Sequence, residues 1–170
     1  MLSGKLQKKL NDQINKEFYS AYLYLSMAAY LYGRNLDGMA NFFRVQAQEE
    51  RDHALIMFDY LNEVGGKIFL SKIDEPDSEF ESLEKLFKIA LEHEQYVTKS
   101  IYEIVDCAIE ERDHKTNAFL KWFIDEQVEE ESTAEKNLSM IKLVGNDGMG
   151  ILQLDVEMAK RVYMPPNINK

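Results

Sequence analysis

Glu50 and His53 are the two residues of this sequence whose types and spacing most directly suggest chemistry. They form a Glu-x-x-His pair, and residues three apart on a helix lie on one face, so both side chains point to the same place. Apolar residues recur at helical spacing around the pair, and these are Phe43, Ala54, Met57 and Val64. The pair therefore lies on the side of a helix that should face the core. An unpaired charge is very costly there, and a bound metal ion is the most direct compensation.

Each of three further predicted helices carries one acidic residue on its apolar face. Glu17 has this position in the first helix, Glu94 in the third, and Glu130 in the fourth, where it shares the face with Gln127. Together with Glu50 they lie within about a turn of the midpoint of their helices, so an antiparallel bundle should bring them to one height. Four carboxylates in one core cannot all be ionised without cations. Two divalent or trivalent iron ions bridged by Glu50 would neutralise them, although solvated faces or a metal-free carboxyl network remain alternatives.

The elements that must position these residues are helices, because the apolar period is 3.6 and no useful alternating strand pattern appears. Gly65 and Gly66 end the second helix, the capping-box pattern of residues 78–81 opens the third, and Asp113 caps the fourth. The predicted helices span about 6–32, 37–66, 78–111, 113–144 and 149–162.

The lengths of the connections predict how these helices are arranged. Short turns make the first and second helices antiparallel, and likewise the third and fourth. The connection over residues 67–77 can reach roughly 36 Å, which is close to the roughly 42 Å length of the second helix. The second and third helices would then be parallel. This predicts an all-α, ferritin-like four-helix bundle with one long crossover, formed by residues 1–145, and a short fifth helix and tail of the same domain over residues 146–170.

The composition fits one globular domain and argues against nucleic acid as a partner. The 170 residues carry a formal net charge of -10 at pH 7, whereas phosphate binding needs a basic face; an acidic surface attracts cations instead. Cys107 is the only cysteine, which excludes an intrachain disulfide and predicts a reducing, cytoplasmic setting. Residues 1–5 enter the helical pattern without an apolar signal core, and the apolar-rich run 18–32 is too short to span a membrane. No membrane partner is therefore expected.

Three segments in combination make the chain resemble the bacterial and archaeal non-haem ferritins over essentially its full length. These are residues 11–17, 46–54 and 123–131, joined by Tyr24, which follows Glu17 by seven positions. The resemblance implies a cytoplasmic iron-storage protein with ferroxidase activity. Fe(II) would be oxidised by O2 or peroxide at a di-iron centre, and Fe(III) mineral would be stored inside a hollow homo-oligomeric shell of 24 subunits. The reductant that would release the iron is not identified by the sequence.

The resemblance also implies a role for each site residue. Glu17, Glu50 and His53 would bind a first iron; Glu50, Glu94 and Glu130 would bind a second. Gln127 would lie beside the second iron and Tyr24 next to the centre. A third iron site would lie toward the storage cavity, formed by Glu49, Glu126, Glu129 and Glu130.

One departure from related di-iron families separates the possible functions. Bacterioferritins and di-iron oxygenases usually carry a second Glu-x-x-His in the fourth helix, whereas this chain has Gln127 at the start of that motif and no histidine at its end. The second iron would then have oxygen ligands only, which suits a site that passes iron onward. The alternatives are a ferritin-like di-iron oxidase or peroxidase without storage, and a metal-free helical interaction protein. Metal content after purification distinguishes the last of these.

Overall fold

The computed structural model describes residues 2–167, and that part of the chain forms five helices and contains no strand. Met1 and the last three residues of the predicted tail region lie outside the described residues. The helices are α1 Gly4–Tyr32, α2 Asp37–Glu63, α3 Leu83–Glu110, α4 His114–Val144 and α5 Gly148–Met158. The prediction of an all-α bundle with a short fifth helix is confirmed. None of the helices within residues 2–167 has both the length and the apolar character that crossing a membrane requires.

Side-chain caps fix where most of these helices begin. Each of four capping side chains accepts a hydrogen bond from a backbone amide in the first turn, which satisfies a group that the helix itself leaves unpaired. The capping residues are Ser3, Ser82, Asp113 and Asp147. The prediction for Asp113 is confirmed, since its Oδ1 lies 3.0 Å from the Thr116 amide nitrogen.

The predicted start of α3 is wrong by several residues. The capping box of residues 78–81 does not open the helix; α3 begins at Leu83, after the cap at Ser82. Tyr30 explains the difference, because its hydroxyl donates to the Phe80 carbonyl oxygen at 2.6 Å and its ring meets the Phe80 ring edge-on. The Phe80 carbonyl is thus bound to a side chain of α1, and the preceding segment stays extended.

The crossover between α2 and α3 runs along the length of α1. It spans residues 64–82, longer than the predicted connection at both ends. Asn11, near the start of α1, bonds to the backbone of Lys67 and Phe69. Further along α1, Ser26 donates to the Asp77 carbonyl oxygen at 2.7 Å. The chain therefore travels from the amino-terminal half of α1 to its carboxyl-terminal end, and α3 starts at the end of the bundle where α2 also starts.

Helix α5 ends earlier than predicted, at Met158 instead of Val162. Asn41 of α2 donates its amide to the carbonyl oxygens of Ala159 and Arg161, at 3.4 and 2.9 Å. These carbonyls are therefore turned toward α2, and residues 161–167 continue as an extended tail. Helix α5 is itself tied to α2, because the Asp155 carboxylate caps α2 through the Met39 amide at 2.8 Å.

The core is divided into two apolar clusters with a polar layer between them. One cluster is centred on Tyr24, Phe43 and Phe87, and the other on Ile14, Ile101 and Phe123. The layer between them is formed by buried polar side chains from all four long helices, and these are Glu17, Glu50, His53, Glu94, Gln127 and Glu130. The bundle thus encloses the residues that the sequence singled out.

Candidate metal centre

Each long helix contributes one carboxylate to the polar layer, and all four are at most 7 % exposed. Single ligand atoms of Glu17, Glu50 and His53 lie within 4.8 Å of one another, as do those of Glu50, Glu94 and Glu130. Glu50 belongs to both groups. The structure therefore brings together the five residues predicted for the two central positions, with Glu50 between them.

Glu17, Glu50 and His53 form the first group, whose charges are only partly satisfied by the protein. His53 Nδ1 faces Glu50 Oε2 at 3.5 Å. Glu17 Oε1 accepts a hydrogen bond from Gln13 Nε2 at 2.8 Å, whereas its buried Oε2 has no hydrogen-bond partner within the described chain. Such an unpaired buried oxygen is costly unless something else binds it. The first group therefore includes a buried carboxylate oxygen that is available to bind a cation.

Fixed hydrogen bonds orient Glu94 in the second group. The Tyr24 hydroxyl donates to Glu94 Oε1, and Gln127 Nε2 donates to Glu94 Oε2 at 3.2 Å. The same Gln127 amide also reaches Thr98 Oγ1 at 3.2 Å. Tyr24 and Gln127 are thus placed beside the centre, as the sequence predicts, and each holds one oxygen of the same carboxylate.

Gln46 links the other two carboxylates of this group. Its Nε2 donates to Glu130 Oε2 at 2.6 Å and lies 3.3 Å from Glu50 Oε1. One buried amide therefore orients oxygens from α2 and α4 together. The residue was not singled out in the sequence, although it precedes Glu50 by four positions, as Gln13 precedes Glu17. Residues four apart on a helix are neighbours, so that spacing was the available signal.

Burial makes every carboxyl of the centre a weak acid when no cation is present. Desolvation, followed by the charge of Glu50, raises the pKa of Glu94 to about 8. Desolvation and the charge of Glu94 likewise raise the pKa of Glu130 to about 8. The pKa of Glu50 lies well above its ordinary value, and that of Glu17 is also raised, in both cases chiefly through desolvation. The metal-free centre therefore holds protons where cations would otherwise neutralise it.

Tyr24 remains a hydrogen-bond donor in this environment. Its hydroxyl is fully buried, and burial together with the charges of Glu94 and Glu50 raises its pKa well above the usual value. A phenol that keeps its proton can donate to Glu94 throughout the ordinary pH range. The ring is stacked on Phe43 with centroids 5.7 Å apart, which fixes the hydroxyl against the carboxylate.

The residues predicted for a third site line one cavity formed by α2, α4 and the tail after α5. The cavity has a volume of about 460 Å³, and its acidic lining consists of Glu49, Asp125, Glu126, Glu129 and Glu130. Glu130 belongs to the centre itself, and Glu126 lies near it, with Oε1 at 4.0 Å from His53 Nε2. Glu129 is exposed, and Glu49 forms an ion pair with Arg161 of the tail. The four predicted residues thus share a space, but one of them already has a cationic partner.

The donor set suits iron as a substrate. Carboxylate oxygens are hard ligands, and a single imidazole is compatible with iron in either of its common oxidation states. The first group offers one nitrogen and two carboxylates, and the second offers three carboxylates. The unpaired Glu17 oxygen and the raised pKa values of the buried carboxyls are the features expected of a site shaped for cations.

Comparisons with known proteins agree with this geometry. The family model described as a ferritin-like domain matches residues 7–144. A bacterial non-heme ferritin from Staphylococcus haemolyticus is 40% identical over 163 residues, which cover 96% of this chain and 98% of the relative. A protein of the same name from Campylobacter jejuni is 42% identical over 155 residues, covering 91% of this chain and 93% of that one.

Solved structures of archaeal proteins share the fold over nearly the whole chain. An engineered closed form of the Archaeoglobus fulgidus ferritin superposes with a TM-score of 0.95 at 45% identity, covering 96% of this chain and 100% of the other. An open-pore ferritin from the same archaeon superposes with a TM-score of 0.94 at 46% identity, covering 95% and 100%. Identity at this level, over this length, extends the likeness from the fold to the family.

Proposed function

This chain belongs to the ferritin family, and we propose that it stores iron after oxidising it at the buried centre. The single observation that carries the proposal is the pair of ligand groups that share Glu50. Each group has three ligand atoms within 4.8 Å, and together they use a carboxylate from every long helix. Two Fe(II) ions are the substrate that this arrangement fits.

Binding of the two ions depends on the carboxyl groups giving up their protons. Fe(II) ions neutralise the carboxylates that desolvation otherwise keeps protonated, so Glu94 and Glu130 ionise when the substrate binds. Tyr24 and Gln127 continue to hold the two Glu94 oxygens, and Gln46 holds Glu130. The chain thus supplies oriented anionic ligands without a large rearrangement.

Pairing the ions supplies the number of electrons that the oxidant needs. Two Fe(II) ions give one electron each, and O2 takes two electrons and two protons to become hydrogen peroxide. Peroxide takes two electrons and two protons to become two waters. A two-ion template holds both donors next to one oxidant molecule. The Fe(III) product would then leave through the acidic cavity of Glu49, Glu126 and Glu129, with Glu130 shared between the centre and this path.

We further propose that storage occurs inside a closed shell of 24 subunits. Large apolar side chains remain exposed on α1 and α5 of the single chain, including Tyr22, Leu25, Tyr32, Leu152 and Val156. Contacts about rotation axes would bury them and close the assembly instead of extending it into a fibre. Residues 1–145 and 146–170 would act as one domain in this shell, with α5 docked on α2 through Asp155. The buried free Cys107 suits a cytoplasmic location.

Glu50→Ala tests the oxidation step. Because Glu50 belongs to both groups, its loss should weaken both positions and slow the rapid phase of Fe(II) oxidation by at least about a hundredfold. Stopped-flow absorbance at two Fe(II) per subunit measures that rate. Glu63→Ala is the matched control, since Glu63 is an exposed carboxylate on the same helix. A Glu50→Ala variant that oxidises Fe(II) as fast as the wild type would contradict the proposed centre.

Particle mass and iron content test the storage step. Light scattering should give the mass of a large shell, and the shell should retain many more irons per subunit than the central positions can hold. A monomer or dimer that still oxidises Fe(II) would indicate a di-iron oxidase or peroxidase without storage. A purified chain that binds no metal at all would indicate a helical interaction protein.

A further inference from the structure

The extended tail after α5 is fastened along one side of α2. Asn41 donates to the Arg161 carbonyl oxygen at 2.9 Å. About three helical turns further along α2, the Asp52 carboxylate accepts a hydrogen bond from the Tyr163 hydroxyl. The tail residues Met164, Pro165 and Pro166 then line the acidic cavity. The tail therefore forms one wall of the acidic cavity, and Glu130 of the centre lines the same cavity.

Arg161 is the part of this tail that enters the carboxylate network. Its Nη2 atom forms an ion pair with Glu49, and its Nη1 atom donates to Gln46 Oε1 at 2.7 Å. The guanidinium carbon lies 4.3 Å from the centroid of the Phe42 ring. Only 22% of the Arg161 side chain and 19% of the Glu49 side chain are exposed. The ion pair is thus partly desolvated and held on three sides, unlike an ordinary surface pair.

Arg161 lines the same cavity as the inner carboxylates and contacts one of them, Glu49. Glu49 is one wall of the cavity, and Glu126, Glu129 and Glu130 are others. The positive charge also acts on the centre, since it opposes the effect of burial that raises the pKa of Glu130 and that of Glu49. A fixed cation and a bound metal ion cannot both occupy the space beside the same carboxylate without mutual repulsion.

We propose that Arg161 is a tethered cation that neutralises the inner carboxylates of the metal-free protein, and that a divalent or trivalent metal ion displaces it. The inference rests on the proposed function, in which iron passes through this cavity. Arg161 is a positioning residue in this scheme, because it acts on the metal ion through Glu49 and Gln46. It sets how strongly the inner carboxylates attract a cation, and the tail moves when that cation arrives.

Gln46 connects this displacement to the centre. Its Oε1 accepts from Arg161, while its Nε2 orients Glu130 at 2.6 Å and approaches Glu50 at 3.3 Å. When Arg161 leaves, the amide loses the partner that fixes its orientation. Glu130, which belongs to a central group and to a group with His53 and Glu126, is then free to follow a cation outward. Arrival of a metal ion at the inner carboxylates thereby loosens one ligand of the central pair.

Tb³⁺ luminescence measures the affinity of the inner site without any iron oxidation. Trp122 is the only tryptophan of the chain and lines the cavity, so light absorbed by Trp122 excites Tb³⁺ bound there. Two equivalents of Zn²⁺ per subunit are bound first to fill the central positions. Arg161→Gln removes the competing cation and should bind Tb³⁺ about tenfold more tightly, within the usual range of coupling between two ligands.

Two control variants test whether the Tb³⁺ affinity depends on a positive charge at position 161 or on any positive charge in the tail. Arg161→Lys keeps a positive charge but loses the guanidinium fork and its contact with Phe42, so its Tb³⁺ affinity should lie between those of the wild type and Arg161→Gln. Lys160→Gln removes a cation from the same tail, but Lys160 is exposed and pairs with Glu157 at 2.5 Å, so its Tb³⁺ affinity should equal that of the wild type. Circular dichroism confirms that each variant is as helical as the parent. An Arg161→Gln variant with unchanged or weaker Tb³⁺ affinity overturns the inference, as does an equal gain in Lys160→Gln.

Hydrogen exchange tests the displacement itself. Coupling is reciprocal, so Tb³⁺ that competes with Arg161 must also weaken the hold on the tail. The amides of residues 159–161, which donate to carbonyl oxygens of α5, should exchange about tenfold faster in the wild type with Tb³⁺ bound than with Zn²⁺ alone. Unchanged exchange in this segment shows that the ion and Arg161 coexist, and that result overturns the proposal.

The outcomes distinguish this inference from the proposed function. One outcome is rapid Fe(II) oxidation that depends on Glu50 together with an Arg161→Gln variant that binds Tb³⁺ as the wild type does. This outcome supports the proposed function and refutes the role of Arg161. The opposite outcome is the expected Tb³⁺ results without Glu50-dependent oxidation. It supports the role of Arg161 as a tethered cation and refutes the proposed function. Absence of any Trp122-sensitised Tb³⁺ signal in the wild type shows that the cavity does not bind cations, and it overturns the inference whatever the oxidation rate.

Discussion

Loading the centre with two divalent cations should release about two protons per subunit from Glu94 and Glu130 at pH 7. A carboxyl group with a pKa of about 8 is about nine-tenths protonated at that pH, and this applies to Glu94 and Glu130. Burial, followed by the charges of Glu17 and Glu130, also raises the pKa of Glu50, so this carboxyl changes in the same direction. Binding of cations replaces these protons, because each ligand must be ionised.

The number of released protons should fall as the pH rises. At pH 9 the carboxyls of Glu94 and Glu130 are only about one-tenth protonated, so release should drop by roughly one and a half protons per subunit. The apparent affinity for the cations should therefore increase steeply between pH 6 and pH 8 and level off above that range. This direction follows from the raised pKa values, since protons compete with the metal ions most strongly below them.

Calorimetric titration with Zn²⁺ in buffers of different ionisation enthalpy counts these protons. The slope of observed enthalpy against buffer enthalpy is the number released per subunit. Glu94→Gln should release about one proton fewer at pH 7, whereas Glu92→Gln, which changes an exposed carboxylate on the same helix, should match the wild type. A slope near zero at pH 7, or one that does not change between pH 7 and pH 9, would refute the assignment of protons to the buried carboxyls.

Two further changes should alter stability in predictable directions. In the folded state the pKa values of Glu94 and Glu130 lie above those of the unfolded chain. Their contribution to the free energy of unfolding is therefore fully present below about pH 4.5 and is lost as the pH rises through about 8. The metal-free protein should therefore melt at a lower temperature at pH 9 than at pH 6. Glu94→Gln should reduce this fall in melting temperature. If the melting temperature of the variant fell by as much as that of the wild type, the buried carboxyls would not be its cause. Gly38→Ala places a methyl group 1.8 Å from the Asp155 carbonyl oxygen and should cost about 1–3 kcal/mol of unfolding free energy. Gly148→Ala is the control, because a methyl group added there has no other atom within 4 Å, and its unfolding free energy should stay unchanged or rise slightly. An equal loss of unfolding free energy in both variants would show that the contact between α5 and α2 is not the cause.

The central carboxylates could be predicted because helical periodicity shows which residues lie on the buried face of each helix. A buried stripe recurs every three or four residues, so Glu17, Glu50 and Glu94 stand out as charges among apolar neighbours. The same periodicity placed Gln127 on the face of Glu130, whereas the position of Tyr24 next to the centre was implied by the resemblance to non-haem ferritins. Spacing along one helix is a local property, and the heights of the four midpoints follow from helix lengths alone. Their roles as iron ligands remain predictions that the Glu50→Ala and Zn²⁺ experiments test.

Element ends that depend on tertiary contacts could not be predicted from local pattern. The capping box at residues 78–81 is a valid local signal, but Tyr30 binds the Phe80 carbonyl oxygen and the helix starts later. The end of α5 likewise depends on Asn41, which lies on another helix more than a hundred residues away in the sequence. A side chain distant in sequence decides the local structure in both places.

Arg161 shows that local sequence pattern has the same limit in predicting residues of the candidate site. The sequence placed this residue inside the predicted fifth helix, where it would be one more surface cation. Because α5 ends at Met158, Arg161 instead reaches the Glu49 carboxylate and the Gln46 amide. The residue is thus brought to the cavity by the end of a helix and not by a motif, and no spacing in the sequence indicates it.

A gradient of burial along the acidic residues gives the direction in which iron should leave. Glu94 is 2% exposed and Glu130 is 7% exposed, the Glu126 side chain is 29% exposed, and Glu129 lies at the surface. A trivalent ion gains more from hydration than a divalent one, so oxidation increases the cost of keeping the product in the driest part of this series. We infer that oxidation itself drives the ion toward Glu126 and Glu129. Arg161 lines the acidic cavity, where a higher charge increases repulsion from the guanidinium and also increases attraction to Glu49, Glu126 and Glu129. Because several carboxylates attract the ion and one guanidinium repels it, a trivalent product displaces Arg161 from Glu49 more effectively than a divalent ion does.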